Sequence, residues 1–338
     1  MTALTLQLRT QSYTVSMSRS TVYVVCLLLL LGVYCAYSYL HTVPAACANE
    51  CDQMHRAVMA GTANSPYRYR VLQAYVADWL TPPGANVMIG YTFAHFLAFP
   101  ALMLALYAWF RRWLVTATAL VGVLIVAALV PVLLQVWGNS LGTPLEAIML
   151  CIGLILLDKQ PRSWKPAFAL LVLIASFNRE TAILLPLAYA TTQFTRKREL
   201  DYWLWGGVFG AAWLAVFAGL RLTLGAAPDD VPIATAWALN TGGGWHTQEA
   251  VFKNLFFIPV WVLYLKQIKG APLFLKRLTP VALVYLVLFL VFGYWNEVRL
   301  HLPLLVLVLP VALRALFPVV EHDLGVGRPV DEFTDSGV

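Results

Sequence analysis

Charge is what this sequence has least of. Asp, Glu, Lys and Arg make up 12% of its 338 residues, where a soluble globular chain carries about 25%, and the mean hydropathy is +0.72. A shortfall of that size excludes the soluble fold classes and makes lipid the solvent. Also missing is the alternation of apolar and polar side chains that marks a transmembrane β-barrel. Stretches such as 26–31, Cys-Leu-Leu-Leu-Leu-Leu, are apolar on every side and read as helix. No internal repeat is evident, which removes the main sequence sign of an inverted-repeat transporter. No Lys-Ser or Lys-Thr follows Gly242, Gly243 and Gly244, so they do not form a phosphate loop; Trp245 beside them suits a sugar stack or an interfacial ring. Cysteine is scarce, with five in the chain. Cys26, Cys35 and Cys151 fall inside apolar runs and serve as packing residues. Cys47 and Cys51 stand four apart in a polar stretch, a spacing open to a disulfide on an oxidising face or to two unbridged neighbours on a helix.

What is present is a series of apolar runs. Ten stand at 21–40, 86–110, 114–135, 145–157, 166–177, 181–194, 202–224, 254–265, 279–294 and 300–317, and the longest match the ~20 residues that cross a bilayer core. Segment 145–157 and the pair around Asn178 are short for a crossing and read as tilted or paired half-helices. The first run exceeds the 7–15 residues of a signal-peptide core and reads as a retained helix. With the N-terminus inside, sixteen of the 23 Lys and Arg fall on the inner side and seven on the outer, the asymmetry that orients membrane proteins. The expectation is an all-α polytopic protein of the cytoplasmic (inner) membrane with both termini cytoplasmic. A single transmembrane domain, 1–317, carries outer loops 41–85 and 225–253, and 318–338 reads as a disordered cytoplasmic tail. The net charge of +6 is spread between the spans rather than gathered on one solvated face, so no nucleic-acid partner is expected.

Ionisable residues beside membrane spans are costly and are therefore functional candidates. Three groups qualify. The first outer stretch carries Glu50, Asp52, His55 and Arg56, then Tyr67-Arg68-Tyr69-Arg70. The junction of the fifth and sixth spans carries Asn178-Arg179-Glu180-Thr181, and that of the last two carries Trp295-Asn296-Glu297-Val298-Arg299-Leu300-His301. All three fall on the outer side, where Glu146 at the start of the fourth span can join them. Taken singly, each also fits a local ion pair in a tight turn or an arginine reaching for the headgroups, and the alternation at Tyr67 to Arg70 fits an interfacial strand or belt. Taken together, they offer guanidinium forks for a phosphate-bearing lipid headgroup and a carboxylate to accept a proton from an attacking hydroxyl.

The order Asp52, then Ser65-Pro66-Tyr67-Arg68-Tyr69-Arg70-Val71-Leu72, then Asn178-Arg179-Glu180-Thr181-Ala182, then Asn296-Glu297-Val298-Arg299 resembles a group of poorly characterised bacterial proteins related to the GT-C glycosyltransferases. The likeness covers most of the chain in outline and these four patches in detail. It implies a multi-helix GT-C-like membrane fold whose active site opens to the extracytoplasmic side. The implied donor is a polyprenyl-phosphate-linked sugar, transferred to an extracytoplasmic acceptor. The implied base is a first-loop acid, Asp52, with Glu50 as second choice. Arg68, Arg70 and Arg179 would contact the donor phosphate, while Glu180, Glu297 and Arg299 would hold the site together or bind acceptor. Many members carry two adjacent acids in the first loop, whereas Asp52 stands between Cys51 and Gln53. No cofactor is assured by the resemblance; some members use a divalent metal, for which Asp229, Asp230 and His246 are the conceivable ligands here. The competing reading is a lipid-linked saccharide flippase or small-molecule transporter, which predicts ionisable residues at the bilayer midplane, where this chain offers chiefly His95. A non-enzymatic scaffold, with Arg and acid as ion pairs between helices, is the third.

Overall fold

The computed structural model describes residues 3–8, 11–16, 19–42, 46–133, 141–227, 233–255, 257–293, 295 and 297–317. A two-stranded antiparallel hairpin, β1 (Ala3–Leu8) and β2 (Gln11–Ser16), leads into a helical body. In chain order the helices are α1 (Arg19–Thr42), α2 (Ala46–Met59), α3 (Val71–Leu80), α4 (Val87–Phe110), α5 (Thr116–Leu133), α6 (Gly142–Lys159), α7 (Trp164–Asn178) and α8 (Leu184–Thr192). They continue as α9 (Leu200–Leu224), α10 (Ile233–Thr241), α11 (Trp245–Leu255), α12 (Ile258–Gln267), α13 (Leu273–Arg277), α14 (Thr279–Phe292) and α15 (His301–Leu316).

A helix stands in each of the ten expected segments, but their lengths differ from a set of ten equal crossings. Among the described residues, four segments are long and apolar enough to span a membrane: Arg19–His41, Val87–Phe110, Leu200–Leu224 and Leu273–Val291. The pair Thr247–Leu255 and Ile258–Gly270, bent by 44°, makes a fifth if it is one span. At nine residues, α8 is only about 14 Å long against a hydrocarbon core of ~30 Å. The outer loops expected at 41–85 and 225–253 are themselves helical, holding α2, α3, α10 and α11. Asp229, Asp230 and the 318–338 tail lie outside the described residues, as do the side chains of Cys47 and His246.

The apolar surface is turned outward as well as inward. Leu30 on α1 is 69% exposed and Leu222 on α9 is 84% exposed, and in water such faces would associate. Along α9 the buried residues Tyr202, Phe209 and Val216 recur every seventh position, a narrow seam against α7 that leaves the rest of the helix to lipid. Along α1 the buried residues Leu28, Cys35, Ala36 and Tyr39 lie with Gly32 on one stripe facing α4. Gly32 is there because the helices nearly touch: a Cβ on it would sit 2.5 Å from Pro100 N and 2.9 Å from Phe99 C, and closer still to Pro100 Cα. Small residues allow such approach in membranes, where helix association relies on contact rather than on water exclusion.

The last helix is the innermost. Every residue of α15 from His301 to Leu313 is buried, against α5, α6, α12 and α14, as expected of a helix that is apolar all round. Pro310 lies inside it, and the N–H it lacks leaves the Val306 carbonyl without a helical donor. The indole Nε1 of fully buried Trp109 on α4 donates to that carbonyl at 2.8 Å. Polar contacts gather at the two ends of the bundle. At one end Arg112 Nε donates to Asp158 at 2.6 Å, and Lys165 Nζ to Asp201 at 2.5 Å. The candidate site lies at the other.

Candidate functional site

The site begins where α7 breaks. Arg179 has extended backbone (φ −158°, ψ 152°), so the helix stops at Asn178 and restarts through the turn Glu180–Ile183. The buried Asn178 side chain donates to the Gly142 carbonyl at 2.7 Å, and the Gly142 N–H donates to Gln73 Oε1 at 3.0 Å. These two bonds knit the start of α6 and the end of α7 to α3. Gly142 is closely packed: a Cβ there would meet Gln73 Oε1 at 3.1 Å, Asn178 Oδ1 at 3.3 Å and Arg179 Nε at 3.4 Å, so these side chains would have to shift by a few tenths of an ångström.

Three arginines from distant parts of the chain enter this region, each with its own carboxylate. Arg179 Nη1 donates to Glu146 Oε2 at 3.2 Å and its Nη2 to Thr143 Oγ1 at 2.7 Å, while Thr181 Oγ1 takes up Glu146 Oε1. Arg70 Nη2 donates to Glu180 Oε2 at 3.3 Å. Arg299 grips Glu297 with Nε at 3.3 Å and Nη2 at 3.1 Å, and its Nη2 also reaches Tyr67 Oη at 3.4 Å. The guanidinium of Arg70 lies 5.5 Å from the centre of the same Tyr67 ring. Tyr67 thus joins the Arg70 and Arg299 pairs, and Glu180, the partner of Arg70, follows Arg179 directly in the chain, so the pairs form one cluster.

Burial sets its electrostatics. Arg179 and Arg299 are 4% and 3% exposed. Loss of water pulls the Arg179 pKa below its ordinary value, against the opposing pull of Glu146. For Arg299 burial acts in the same direction, but Glu297 and Tyr67 outweigh it and hold the guanidinium above its usual range. Several polar atoms in the cluster are buried without a partner: Arg70 Nε, Arg179 Nε, Glu180 Oε1, Asn178 Oδ1 and Tyr285 Oη. Beside them, Glu146, Asn178, Arg179 and Thr181 help to line a cavity of about 20 Å³, roughly the room of one water molecule.

Of the residues expected to act, Arg70, Arg179, Glu180, Glu297 and Arg299 are thus brought together. Arg68 faces elsewhere. Residues Tyr67 to Tyr69 form a 3₁₀ turn rather than a strand, and Arg68 Nη1 donates to the Ala226 carbonyl at 3.2 Å while Tyr69 Oη donates to that of Gly225 at 3.0 Å. The turn therefore divides its side chains between the cluster and the end of α9. Asp52 is paired with Arg56 on its own helix. It stands about 160° round α2 from Met54 at 100° per residue, and Met54, Ala57 and Val58 make the face that packs on Tyr67, Val71 and Ala74. Glu50 is exposed on the same helix. Among the described residues neither acid has a hydrogen bond or ion pair to the cluster. The sequence reading missed Thr143, Gln73 and Tyr285, which are uncharged and lie inside or beside apolar helices. Asn178 was legible from its place between two apolar runs.

His55, also in the first group, has a structural post. It is 7% exposed, and its Nδ1 lies 3.3 Å from Tyr91 Oη, tying α2 to α4. Burial lowers its pKa below 6.5, against Asp78 and Asp52, which raise it, and with Arg56, which lowers it. The unfolded chain then binds the proton more readily, so the fold loses stability as pH falls below about 6.5. Unfolding of the detergent-solubilised protein followed across pH 7 to 5 is expected to show this decline, and His55→Gln to make it shallower.

The sequence matches no family model, and no significant similarity to a curated protein or a solved structure is found. Among the described residues no three His, Cys, Asp or Glu side chains gather as a metal-binding group.

Proposed function

We propose that the cluster binds the phosphate of a polyprenyl-phosphate-linked sugar and that the protein is a membrane glycosyltransferase of GT-C-like architecture, acting on an extracytoplasmic acceptor. In this reading the helical segments form a polytopic bundle of the inner membrane, the short ones as tilted or paired half-helices, with both termini cytoplasmic. The observation that carries it is the convergence of Arg70, Arg179 and Arg299 at one end of an otherwise apolar bundle, with Arg70 Nε and Arg179 Nε buried and unpartnered. Guanidinium N–H groups match phosphate oxygens in pairs, and an incoming phosphate would meet donors already desolvated. Of the cluster's three ion pairs, Arg70 with Glu180 is the longest at 3.3 Å and the most exposed.

The test is binding of polyprenyl phosphate to the protein in lipid nanodiscs. Arg70→Gln removes one charged donor at the rim while leaving the deeper pairs in place. A charge-assisted hydrogen bond contributes about 1.5–3 kcal/mol, so Kd is expected to rise roughly 10- to 100-fold with the melting temperature little changed. A second reading, an ion-paired scaffold with no ligand, is favoured by one observation: each guanidinium already holds a carboxylate. That reading gains if wild-type nanodiscs bind no polyprenyl phosphate and Arg70→Gln alters stability alone. The flippase or transporter reading draws less support, because the charged cluster lies at one end of the bundle rather than at its middle.

A further inference from the structure

The three carboxylates of the cluster are not equivalent. Both oxygens of Glu146 are occupied, by Arg179 and by Thr181. Both oxygens of Glu297 are held by Arg299. Glu180 differs in each respect. Its Oε2 accepts one bond from Arg70 at 3.3 Å, and its Oε1 is buried with no partner at all. Its side chain is 24% exposed, against 7% for Glu146 and 15% for Glu297, so it is the most accessible of the three. Its backbone is fixed: the Glu180 carbonyl accepts from Trp213 Nε1 at 3.0 Å, and the residue opens the turn that follows the extended Arg179. An unpaired buried carboxylate oxygen is costly, and native structures rarely leave one without a use.

We infer that Glu180, rather than Asp52, is the catalytic base of the reaction proposed above, with Oε1 as the atom that receives the acceptor hydroxyl's proton. The inference rests on the transferase reading and deepens it. In the step, the acceptor oxygen attacks the anomeric carbon of the donor sugar and a C–O glycosidic bond forms. The bond from that carbon to the phosphate oxygen breaks, and its electron pair leaves on the phosphate, beside Arg70 and Arg179. The hydroxyl proton passes to Glu180 Oε1. One glycoside and one polyprenyl phosphate result, with no oxidant, reductant or further reactant. Asp52 is ill placed for this role, since it lies across α2 from the face that packs on Tyr67, Val71 and Ala74.

The experiment compares Glu180→Gln, Asp52→Asn and Glu180→Ala with wild type in nanodiscs. A polyprenyl-phosphate-linked hexose is the donor, n-octyl glucoside supplies the hydroxyl, and released polyprenyl phosphate is measured alongside donor binding. A positioned base contributes about 10²–10⁴-fold, so Glu180→Gln should lower turnover at least about 100-fold with donor affinity retained. Added formate should restore part of the activity of Glu180→Ala, which a merely structural role would not allow. If Asp52→Asn abolishes turnover and Glu180→Gln preserves it, the inference is overturned and the base returns to α2. If wild-type protein binds no polyprenyl phosphate, the transferase reading falls and the role of Glu180 falls with it.

Discussion

Arg179→Ala is expected to destabilise the protein by about 3–5 kcal/mol, the usual loss when one partner of a buried ion pair is removed. Arg179 and Glu146 are 5% and 7% exposed at their side chains, so truncating the arginine leaves a buried Glu146 carboxylate with Thr181 as its remaining partner. Thr143 loses its partner in the same change. Glu146→Ala should be similarly harmful, because it leaves the guanidinium with only Thr143. The double variant Arg179→Met with Glu146→Leu removes both charges and keeps the volume, and buried pairs replaced this way are often neutral or stabilising. A double-mutant cycle by thermal unfolding in detergent is therefore expected to be strongly non-additive. The double variant also separates folding from function: it should fold and yet fail to bind polyprenyl phosphate. Additive single effects of under about 1 kcal/mol would place the pair in a solvated setting and remove the basis for a desolvated anion site.

The second large effect is steric. Gly32→Val should detach α1 from α4, because the new side chain would meet the backbone of Phe99 and Pro100 rather than a movable side chain. Overpacking typically costs about 1–3 kcal/mol and sometimes more, and backbone that cannot yield puts this site at the upper end. The loss should appear as a lower unfolding midpoint and as early proteolysis in the segment joining α1 to α2. Gly210→Ala on α9 is the matched comparison. Nothing lies within 4 Å of its added Cβ, and exchanging glycine for alanine inside a helix is worth roughly 0.5–1 kcal/mol in favour of alanine. Opposite signs at the two glycines would confirm that α1 is held by contact and that α9 faces lipid. Equal, small effects would mean that α1 adjusts freely along α4.

Much of this architecture was legible because hydropathy is a local property. The runs at 21–40, 86–110 and 202–224 became α1, α4 and α9 within a few residues, and the charged breaks at Asn178 and Glu297 marked the polar end of the bundle. What the sequence did not disclose is which side chains point where. Arg68 and Arg70 look alike in the run Tyr67-Arg68-Tyr69-Arg70, and only the 3₁₀ turn sends Arg70 to Glu180 and Arg68 to Ala226. Asp52 and Glu180 carry the same chemistry, and their separate fates depend on the face of α2 and on the break after α7. The central place of α15 was hidden as well, since an apolar helix facing protein and one facing lipid are written in the same residues.

Pro310 and Trp109 show how such a core limits the routes by which its sequence can change. The indole N–H serves a carbonyl that is left open by the proline alone. Restoring the missing backbone N–H first, by Pro310→Ala, would close that carbonyl and leave Trp109 free to become another large apolar residue. Taken in the reverse order, the path runs through a protein with an unanswered carbonyl beneath the membrane surface. Two residues 201 positions apart therefore have a preferred order of replacement, set by a single bond of 2.8 Å.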